Sequence, residues 1–519
     1  MDIKKDIQFT RNIKCSDVYT ESAVEYVLPD YLGDVRKILF TDAALCPSGR
    51  FAGGDEVEFS GVVVYNVIYL DSENNLSSAE FTSDYDYSVK CSGENYKDSL
   101  SDTRVSNYAL RLMGPRKISA RASLVGSVKL TENGSISLGG SALEGDNSPE
   151  VSIKSLQVRS SSLSSVTERE YAEPVARLDG AISDEVTVVY SDAEATADSL
   201  EIGDDSVRVK GRLRMLAVVK NGDSPAYLAE KAVGFEESIP FDGVSESMRL
   251  IPELTVTSLK SSVNADEGGS EVVLSGIVEF CILGEKNESL EVASDGYLKS
   301  APTENFYQEL SYTSLVDAAS VRGSHNAELD RSDIDSEGLH EVVFLRATPK
   351  VERIEKGDGN VNIIGEVRYS GIAVERNEDD VSYVSLKFAS PFASNVSVGC
   401  KNDDNISVDA KVVAHSASAS LDSSKLYAGC TLECGVVVYR EESENILASL
   451  EIKDGESYES QGARITVYYP TDGDTLFSVA KRFHTSTLKV AADNAIAESV
   501  FAADNPEGSL AGVKKLLIY

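Results

Sequence analysis

Apolar and polar residues alternate along most of the chain with a period of two, which is typical of half-buried β-strands. The segment Val57–Val62 follows this alternation, and Val361–Val367 follows it nearly as regularly. Segments with helical spacing are few and short, with one at Tyr31–Leu39 and two close to the C-terminus. The pattern therefore predicts a mainly β fold.

Apolar strands interrupted by a glycine recur at nearly constant intervals. The longest examples surround Gly61, Gly211 and Gly365, which are 150 and 154 residues apart. Related segments surround three further glycines, Gly126, Gly276 and Gly435. Intervals of this length favour three tandem units, each with two similar β halves. Because a glycine within a strand often marks a bulge, a bend or a close backbone approach, we expect these strands to bend from one sheet to the other.

Polar tracts, which are typical of linkers, divide the chain into four predicted domains. The tracts lie at 144–149, 160–165, 321–337 and 453–462. They leave three β units of the sandwich or open-barrel type and a smaller terminal domain, at residues 1–150, 168–320, 338–458 and 464–519. A chain of 519 residues agrees with this division, because a domain typically has about 100–200 residues.

The charge of the chain limits its expected partners. It has 85 acidic and 49 basic residues, and the formal net charge is −36. Such a charge repels nucleic-acid phosphates and anionic membrane surfaces, so neither is an expected partner. Tryptophan, a residue enriched at binding hot spots, is absent.

Three features point to a soluble intracellular protein. The seven cysteines are scattered without the spacing of a disulfide framework, which favours a reducing compartment. The segment Met1–Thr10 contains no apolar stretch of signal-peptide length. The longest apolar run, Val62–Leu70, is too short to span a bilayer, and we expect no transmembrane segment.

The sequence contains no motif that predicts catalysis, a cofactor or a metal. Phosphate-binding glycine motifs are missing, and the four histidines lie outside the nucleophile motifs of hydrolases. Cys430 and Cys434 lie on one predicted strand, where residues four apart are about 13 Å from each other, too far to share a zinc ion. The segment Asp333–Gly338 begins like a calcium loop, but its twelfth position is Phe344. We therefore expect no enzyme, although a spatial cluster of carboxylates or histidines would reopen the question.

The C-terminal segment resembles the LysM domain family, which has a β-α-α-β order of elements. The matching residues are Gly473–Leu476, Val479–Phe483, Asn494, Leu510, Gly512 and Leu516–Ile518. Two features depart from the family pattern. The link at 495–508 is longer than usual, and Phe477 stands where the family often has an indole.

The LysM resemblance implies a shallow groove between two loops, which binds either N-acetylglucosamine sugars or a protein partner. The candidate groove residues are Asp474, Thr475, Leu476, Phe477, Ser509, Leu510 and Gly512. We expect Asp474 or Thr475 to cap the first helix, Leu476 to face the core and Phe477 to point to the surface. From Arg464 onward the chain has six basic and six acidic residues, so this segment is neutral and better suited to docking on a protein than an acidic one.

The rest of the chain resembles the SPOCS domain family of clostridial spore proteins. The first unit carries the resemblance in VLPDYLGDVRKIL (Val27–Leu39), the strands around Gly61 and the segment Gly114–Ile118. The second and third units keep the strand pattern without an LPDYL-like opening.

Three SPOCS-like units followed by a LysM domain is the arrangement of spore-coat morphogenetic proteins of the SipL type. This resemblance implies a non-enzymatic scaffold in the mother-cell cytoplasm, at the forespore surface. Its implied partner is SpoIVA, the coat-nucleating ATPase, bound partly through the LysM domain. The alternative is a peptidoglycan-binding LysM protein in which the β units serve as spacers.

Overall fold

The computed structural model describes residues 6–14, 17–53, 55–91, 96–137, 149–266, 268–334, 338–377, 380–401, 405–453, 458, 465–496, 510 and 512–519. The described chain is mainly β and consists of several antiparallel sheets, as the alternation predicts. The helix predicted at Tyr31–Leu39 is wrong, because a strand begins at Val35. Two β-bulges near this point break the alternation and produce a helix-like spacing of apolar residues.

Each repeat contains one three-stranded sheet in which consecutive strands are neighbours. In the first repeat its strands are β3 (Val35–Gly53), β4 (Glu56–Asp71) and β5 (Leu76–Lys90). In the second they are β10 (Val186–Gly203), β11 (Ser206–Asn221) and β12 (Tyr227–Pro240). In the third they are β16 (Leu339–Gly357), β17 (Asn360–Asn377) and β18 (Asp380–Ser397). Below, unit one, unit two and unit three each denote one of these sheets with the second sheet that shares its core.

The second sheet of each unit is arranged around one long strand. In unit one, β7 (Lys117–Ser137) pairs with β1 (Asp6–Lys14), β2 (Val18–Val27) and β6 (Tyr96–Gly114). In unit two, β14 (Gly269–Tyr297) pairs with β8 (Glu150–Leu163), β9 (Thr167–Asp179) and β13 (Arg249–Asp266). In unit three, β20 (Lys425–Ile452) pairs with β15 (Thr303–Asp330) and β19 (Ile406–Leu421). The two sheets of each unit contribute to one shared hydrophobic core.

The three repeated glycines occupy equivalent positions, and each is needed for close packing. Gly61, Gly211 and Gly365 each lie beside a register shift in the preceding strand. A Cβ at any of them would lie 2.1–2.7 Å from a backbone carbonyl of that strand. Each glycine is also covered by an aromatic ring of the following strand, Tyr85, Phe235 or Phe392. The expected bulge and close approach are confirmed, whereas the expected bend between sheets is wrong, because each strand stays in one sheet.

Two polar tracts expected as linkers contain strand residues. Residues 160–163 form the end of β8, which pairs with β14, and residues 321–330 form the end of β15, which pairs with β20. The tracts read as linkers because their side chains are small or polar, yet backbone pairing does not require apolar side chains. The domain limits themselves stay predictions, because membership of a sheet does not show which segment folds on its own.

The three units meet at one apolar junction. Phe40, Tyr190 and Phe344 form a triangle of rings with centroids 4.9–5.4 Å apart, one ring from each unit. Their spacing along the chain is 150 and 154 residues, as for the glycines. Buried aliphatic residues of the three sheets surround the rings in a single cluster. Each of the three units therefore contacts the other two through the same position of the repeat.

Charged residues two positions beyond the rings form an ion network at the rim of the junction. The Arg346 guanidinium lies 2.5 Å from the Asp42 carboxylate and 3.2 Å from the Asp192 carboxylate. It also donates a 2.9 Å hydrogen bond to the Tyr190 hydroxyl. Burial raises the pKa of Asp42, although the Arg346 charge opposes this rise. One arginine therefore compensates two carboxylates at equivalent positions of the other units.

A small group of helices and strands follows the β units. We call the described residues of this group, which are 465–496, 510 and 512–519, the C-terminal module. It consists of β21 (Thr466–Tyr468), α1 (Leu476–Arg482), α2 (Thr487–Asp493) and β22 (Leu516–Ile518). The two strands pair antiparallel, so the element order is β-α-α-β. Within the described part of the chain, no helix is long and apolar enough to cross a membrane.

Candidate functional site

The first helix of the C-terminal module starts with a complete capping box. The Thr475 hydroxyl accepts a 3.0 Å hydrogen bond from the Ser478 backbone N–H, and the Ser478 hydroxyl accepts one of 2.9 Å from the Thr475 N–H. Two backbone donors that the helix leaves unpaired are thereby satisfied. Of the two expected caps, Thr475 caps the helix.

Asp474 holds the loop before the helix instead. Its carboxylate accepts hydrogen bonds from the Thr471 backbone N–H at 2.7 Å and from the Tyr468 hydroxyl at 2.8 Å. These bonds favour the charged form and lower the pKa of Asp474. The Asp474 carbonyl accepts a 3.2 Å hydrogen bond from the Leu510 N–H, so the two loops expected to form a groove do meet. Gly512 has a φ of 87°, which suits the turn before β22.

The apolar residues of the predicted groove are buried. Leu476 and Leu510 lie in the core of the module, as expected for Leu476. Phe477 was expected to point to the surface, but this is wrong, because its side chain is only 7% exposed. Ser509 lies outside the described residues. Among the described residues of the two loops, the accessible ones are therefore polar residues and glycine.

Phe477 is buried because the module packs against the end of β14 in unit two. The Tyr297 ring meets the Phe477 ring edge to face at 5.3 Å, and the Tyr297 hydroxyl donates a 2.7 Å hydrogen bond to the Thr485 carbonyl. Lys481 pairs with Asp295 at 2.5 Å. Sequence reasoning missed this contact, since nothing in the local pattern of α1 identifies a partner on a distant strand.

An aromatic stack adds to the same contact. The ring of Tyr458, in the segment before the module, lies 3.5 Å from the His484 ring with an interplanar angle of 20°. Desolvation lowers the pKa of His484, because burial disfavours the imidazolium form. The neutral imidazole is therefore the form that this arrangement favours.

The opposite side of the module presents an apolar surface to solvent. Ile465, Val467 and Tyr469 alternate along β21 and its flanks, and all three side chains are exposed. Val467 lies opposite Leu517 in the ladder, and the exposed Tyr519 follows β22. We call these residues the outer sheet face. The alternation of ITVYY indicates such a face, whereas the LysM resemblance placed the predicted binding site at the groove residues.

Cys430 and Cys434 have the environment of structural thiols. Cys430 and Cys434 are buried on β20, and burial raises the pKa of both thiols. The Cys430 sulfur lies 3.6 Å from the Tyr369 hydroxyl. Among the described residues no three His, Cys, Asp or Glu side chains are grouped as metal ligands. Part of the calcium-like segment, at 335–337, lies outside the described residues.

Comparison with known proteins adds no family. No protein-family model matches the chain, and no curated protein matches it at a significant level. The resemblances to the LysM and SPOCS families therefore rest on the motif residues themselves, and they remain predictions.

Proposed function

We propose that the protein is a non-enzymatic scaffold in bacterial spore-coat assembly, and that its C-terminal module binds a SpoIVA-like coat-nucleating ATPase. This role places it in the mother-cell cytoplasm, at the forespore surface. The observation that carries the proposal is the outer sheet face, which stays exposed although the module already has its own apolar core. A contiguous exposed apolar surface on a small domain is typical of protein docking sites.

The surroundings of the outer sheet face support protein docking. The module has equal numbers of basic and acidic residues from Arg464 onward, in a chain with a net charge of −36. An apolar face without excess charge can be desolvated at lower cost than an acidic one. The contact with β14 lies at α1 and at the connection between α1 and α2, so it leaves the outer sheet face open.

A matched pair of variants tests the proposal. Tyr469 on the outer sheet face and Leu488 on α2 are 68% and 66% exposed. We expect Tyr469→Glu to weaken binding of the full-length chain to the purified ATPase at least tenfold, or ~1.4 kcal/mol, in titration calorimetry. Leu488→Glu should bind normally, and both variants should keep the wild-type circular dichroism. Normal binding by folded Tyr469→Glu would contradict the proposed docking face.

The alternative function is peptidoglycan binding through N-acetylglucosamine. One observation favours it, because the loops of Asp474 and Leu510 meet as a sugar groove requires. Against it, Phe477 packs against Tyr297 and offers no free ring for stacking on a sugar. Saturable co-sedimentation of the full-length chain with purified peptidoglycan, unchanged by Tyr469→Glu, would favour the alternative.

A further inference from the structure

The outer edges of the two strands in the C-terminal module differ. On β22, the Leu517 N–H donates a 2.6 Å hydrogen bond to the side-chain oxygen of Asn494. The Leu517 carbonyl accepts a 2.7 Å hydrogen bond from the Asn494 amide nitrogen. The Asn494 side chain therefore takes the place of a neighbouring strand and closes the outer edge of β22.

The hydrogen bonds of Leu517 also fix the direction of the backbone groups on β21. Opposite residues of an antiparallel pair either exchange both backbone hydrogen bonds or point both groups away from each other. Val467 lies opposite Leu517, and Leu517 points its groups away from β21, to Asn494. The N–H and the carbonyl of Val467 therefore point to the outer edge of β21. Among the described residues, neither group has a hydrogen-bond partner there.

This open edge carries the exposed apolar side chains of the outer sheet face. Ile465, Val467 and Tyr469 are 63%, 47% and 68% exposed. Residues two apart in an extended chain direct their backbone groups to the same edge and their side chains to the same face. The outer edge of β21 therefore combines a row of backbone donors and acceptors with a row of apolar side chains. Pro470, which has no N–H, ends the row.

The inner side of β21 holds this edge in a fixed position. The Tyr468 hydroxyl donates a 2.8 Å hydrogen bond to the Asp474 carboxylate and accepts one of 2.6 Å from the Arg482 guanidinium. The Tyr468 ring also packs edge to face on the Phe483 ring, with the centroids 5.5 Å apart. A strand that is fixed before binding loses less conformational entropy when a partner docks.

The β units, in contrast, cover strand edges with their own strands. In each unit an edge strand of one sheet lies beside an edge strand of the other, with β2 beside β5, β10 beside β13 and β16 beside β19. Such covering prevents another chain from pairing with the edge. No described residue covers the outer edge of β21 in this way, so this edge is available for pairing.

We propose that the outer edge of β21 binds an extended segment of the partner protein as an added strand, with apolar side chains at alternate positions of that segment on the outer sheet face. A strand fits this edge because its own N–H and carbonyl groups match those of β21, while its alternate side chains supply specificity. This inference rests on the proposed function, since it specifies the form in which the partner docks on the same face.

The charge of the chain narrows the choice of that segment. The C-terminal module is neutral from Arg464 onward, whereas the whole chain carries −36 and repels a strongly acidic segment. A second copy is disfavoured for the same reason, because two chains of −36 would lie side by side. The occupant is therefore a neutral or basic extended segment of a different protein.

Removing the Val467 N–H tests the proposal while the position stays apolar. Val467→Pro keeps the hydrogen bonds between β21 and β22, because this N–H points away from β22. A second variant replaces the Val467 amide by an ester, which retains the valine side chain and serves if the proline disturbs the fold. Val467→Leu, with its N–H intact, is the matched control.

We expect the proline and ester variants of the full-length chain to bind the purified ATPase roughly tenfold more weakly in titration calorimetry, because a partner carbonyl is left unpaired. Val467→Leu should bind normally, and all three variants should keep the wild-type circular dichroism. In the wild-type complex, the Val467 amide should exchange with solvent more slowly than in the free chain. The Leu517 amide, which is already bonded to Asn494, should change little.

The contrary outcomes separate failure of this inference from failure of the proposed function. If Tyr469→Glu weakens binding but the folded ester variant binds normally, the partner docks through side chains alone and strand addition is wrong. If Tyr469→Glu and both N–H variants all bind normally, the outer sheet face is not the docking site and the proposed function fails as well. A dimer in light scattering that Val467→Pro abolishes would also overturn the proposal, because the occupant would then be a second copy.

Discussion

Two contacts join parts of the same chain, and they are built differently. One is the three-unit junction, and the other is the contact of the C-terminal module with the end of β14 and with Tyr458, which we call the seat of the module. At the junction, three aromatic rings and the buried aliphatic residues around them belong to one continuous cluster. The module is seated through the ring pair of Tyr297 and Phe477, the ion pair of Lys481 with Asp295 and the stack of His484 on Tyr458. Since apolar burial scales with area, the junction should couple the β units more strongly than the seat holds the module.

The junction also shows what a closed tandem repeat has to change. The aromatic position is kept in all three units, because three rings can pack against one another edge to face or offset. The charged position cannot be kept, because three carboxylates at one site would repel each other. Unit three has Arg346 where the other units have Asp42 and Asp192. The arginine in unit three therefore avoids a repulsion between carboxylates that arises only where the three units meet.

The largest effect is expected from removing a ring of the junction. Phe344→Ala should lower the free energy of unfolding by about 3–5 kcal/mol, the usual cost of truncating a buried phenylalanine. Urea denaturation followed by circular dichroism measures this cost. Phe51→Ala, which truncates an exposed ring, is the control. If both variants lose the same small amount, the three units are not coupled through the rings.

A smaller loss is expected at the ion network. Arg346→Met leaves Asp42 and Asp192 uncompensated, and it should cost about 2–3 kcal/mol at neutral pH, less than a fully buried pair because the Arg346 side chain is 31% exposed. Arg353→Met, which breaks an exposed pair with Glu355, should cost little.

The pH dependence of this loss follows from the carboxyl groups. Without Arg346 the pKa of Asp42, already raised by burial, rises further. A raised carboxyl pKa destabilises the fold above that pKa, and the penalty disappears as the pH falls through it. The loss of unfolding free energy in Arg346→Met, measured by urea denaturation, should therefore become smaller as the pH falls from neutral into the acid range. A deficit that stays constant over this range would contradict a charge-based origin.

The repeat could be predicted from the sequence, whereas its closure could not. Gly61, Gly211 and Gly365 are recognisable because each lies within an apolar strand, and the structure places all three under an aromatic ring. Phe40 and Tyr190 have the same spacing, but a residue buried between units has the same sequence pattern as one buried within a unit. The contact between the three units therefore leaves no signal in the sequence that distinguishes it from burial within one unit.

The candidate site was also predictable only in part from the sequence. The Thr475 cap and the burial of Leu476 follow from local helix rules, and both expectations are confirmed. The surface position predicted for Phe477 came from its 100° rotation relative to Leu476, which holds for an isolated helix. Tyr297 covers that side, and a contact from a strand so distant in sequence leaves no local signal.

Within the module, the two helix starts allow a matched test of local stability. Thr475→Ala removes a side-chain cap and should cost about 1 kcal/mol. Ser486→Ala is the control, because Ser486 makes no side-chain cap bond at the start of α2. Amide exchange of the full-length chain should therefore become several-fold faster in α1 for Thr475→Ala and stay nearly unchanged in α2 for Ser486→Ala. Equal changes in both helices would mean that the seat on β14, rather than the cap, sets the stability of α1.

The smallest expected effect concerns the stack at the seat of the module. Because desolvation lowers the pKa of His484, the folded arrangement favours the neutral imidazole. The stack with Tyr458 is therefore fully stabilising above the ordinary histidine pKa of about 6.5, and this contribution is lost as the pH falls through the lowered pKa. The chain has no tryptophan, so Tyr458→Trp introduces a single indole whose emission reports on His484. We expect its fluorescence titration to have a midpoint below about 6.5, and His484→Gln to abolish the titration. A midpoint at or above that value would show that the ring is solvated, and that the module is held by Tyr297 and Lys481 without the stack.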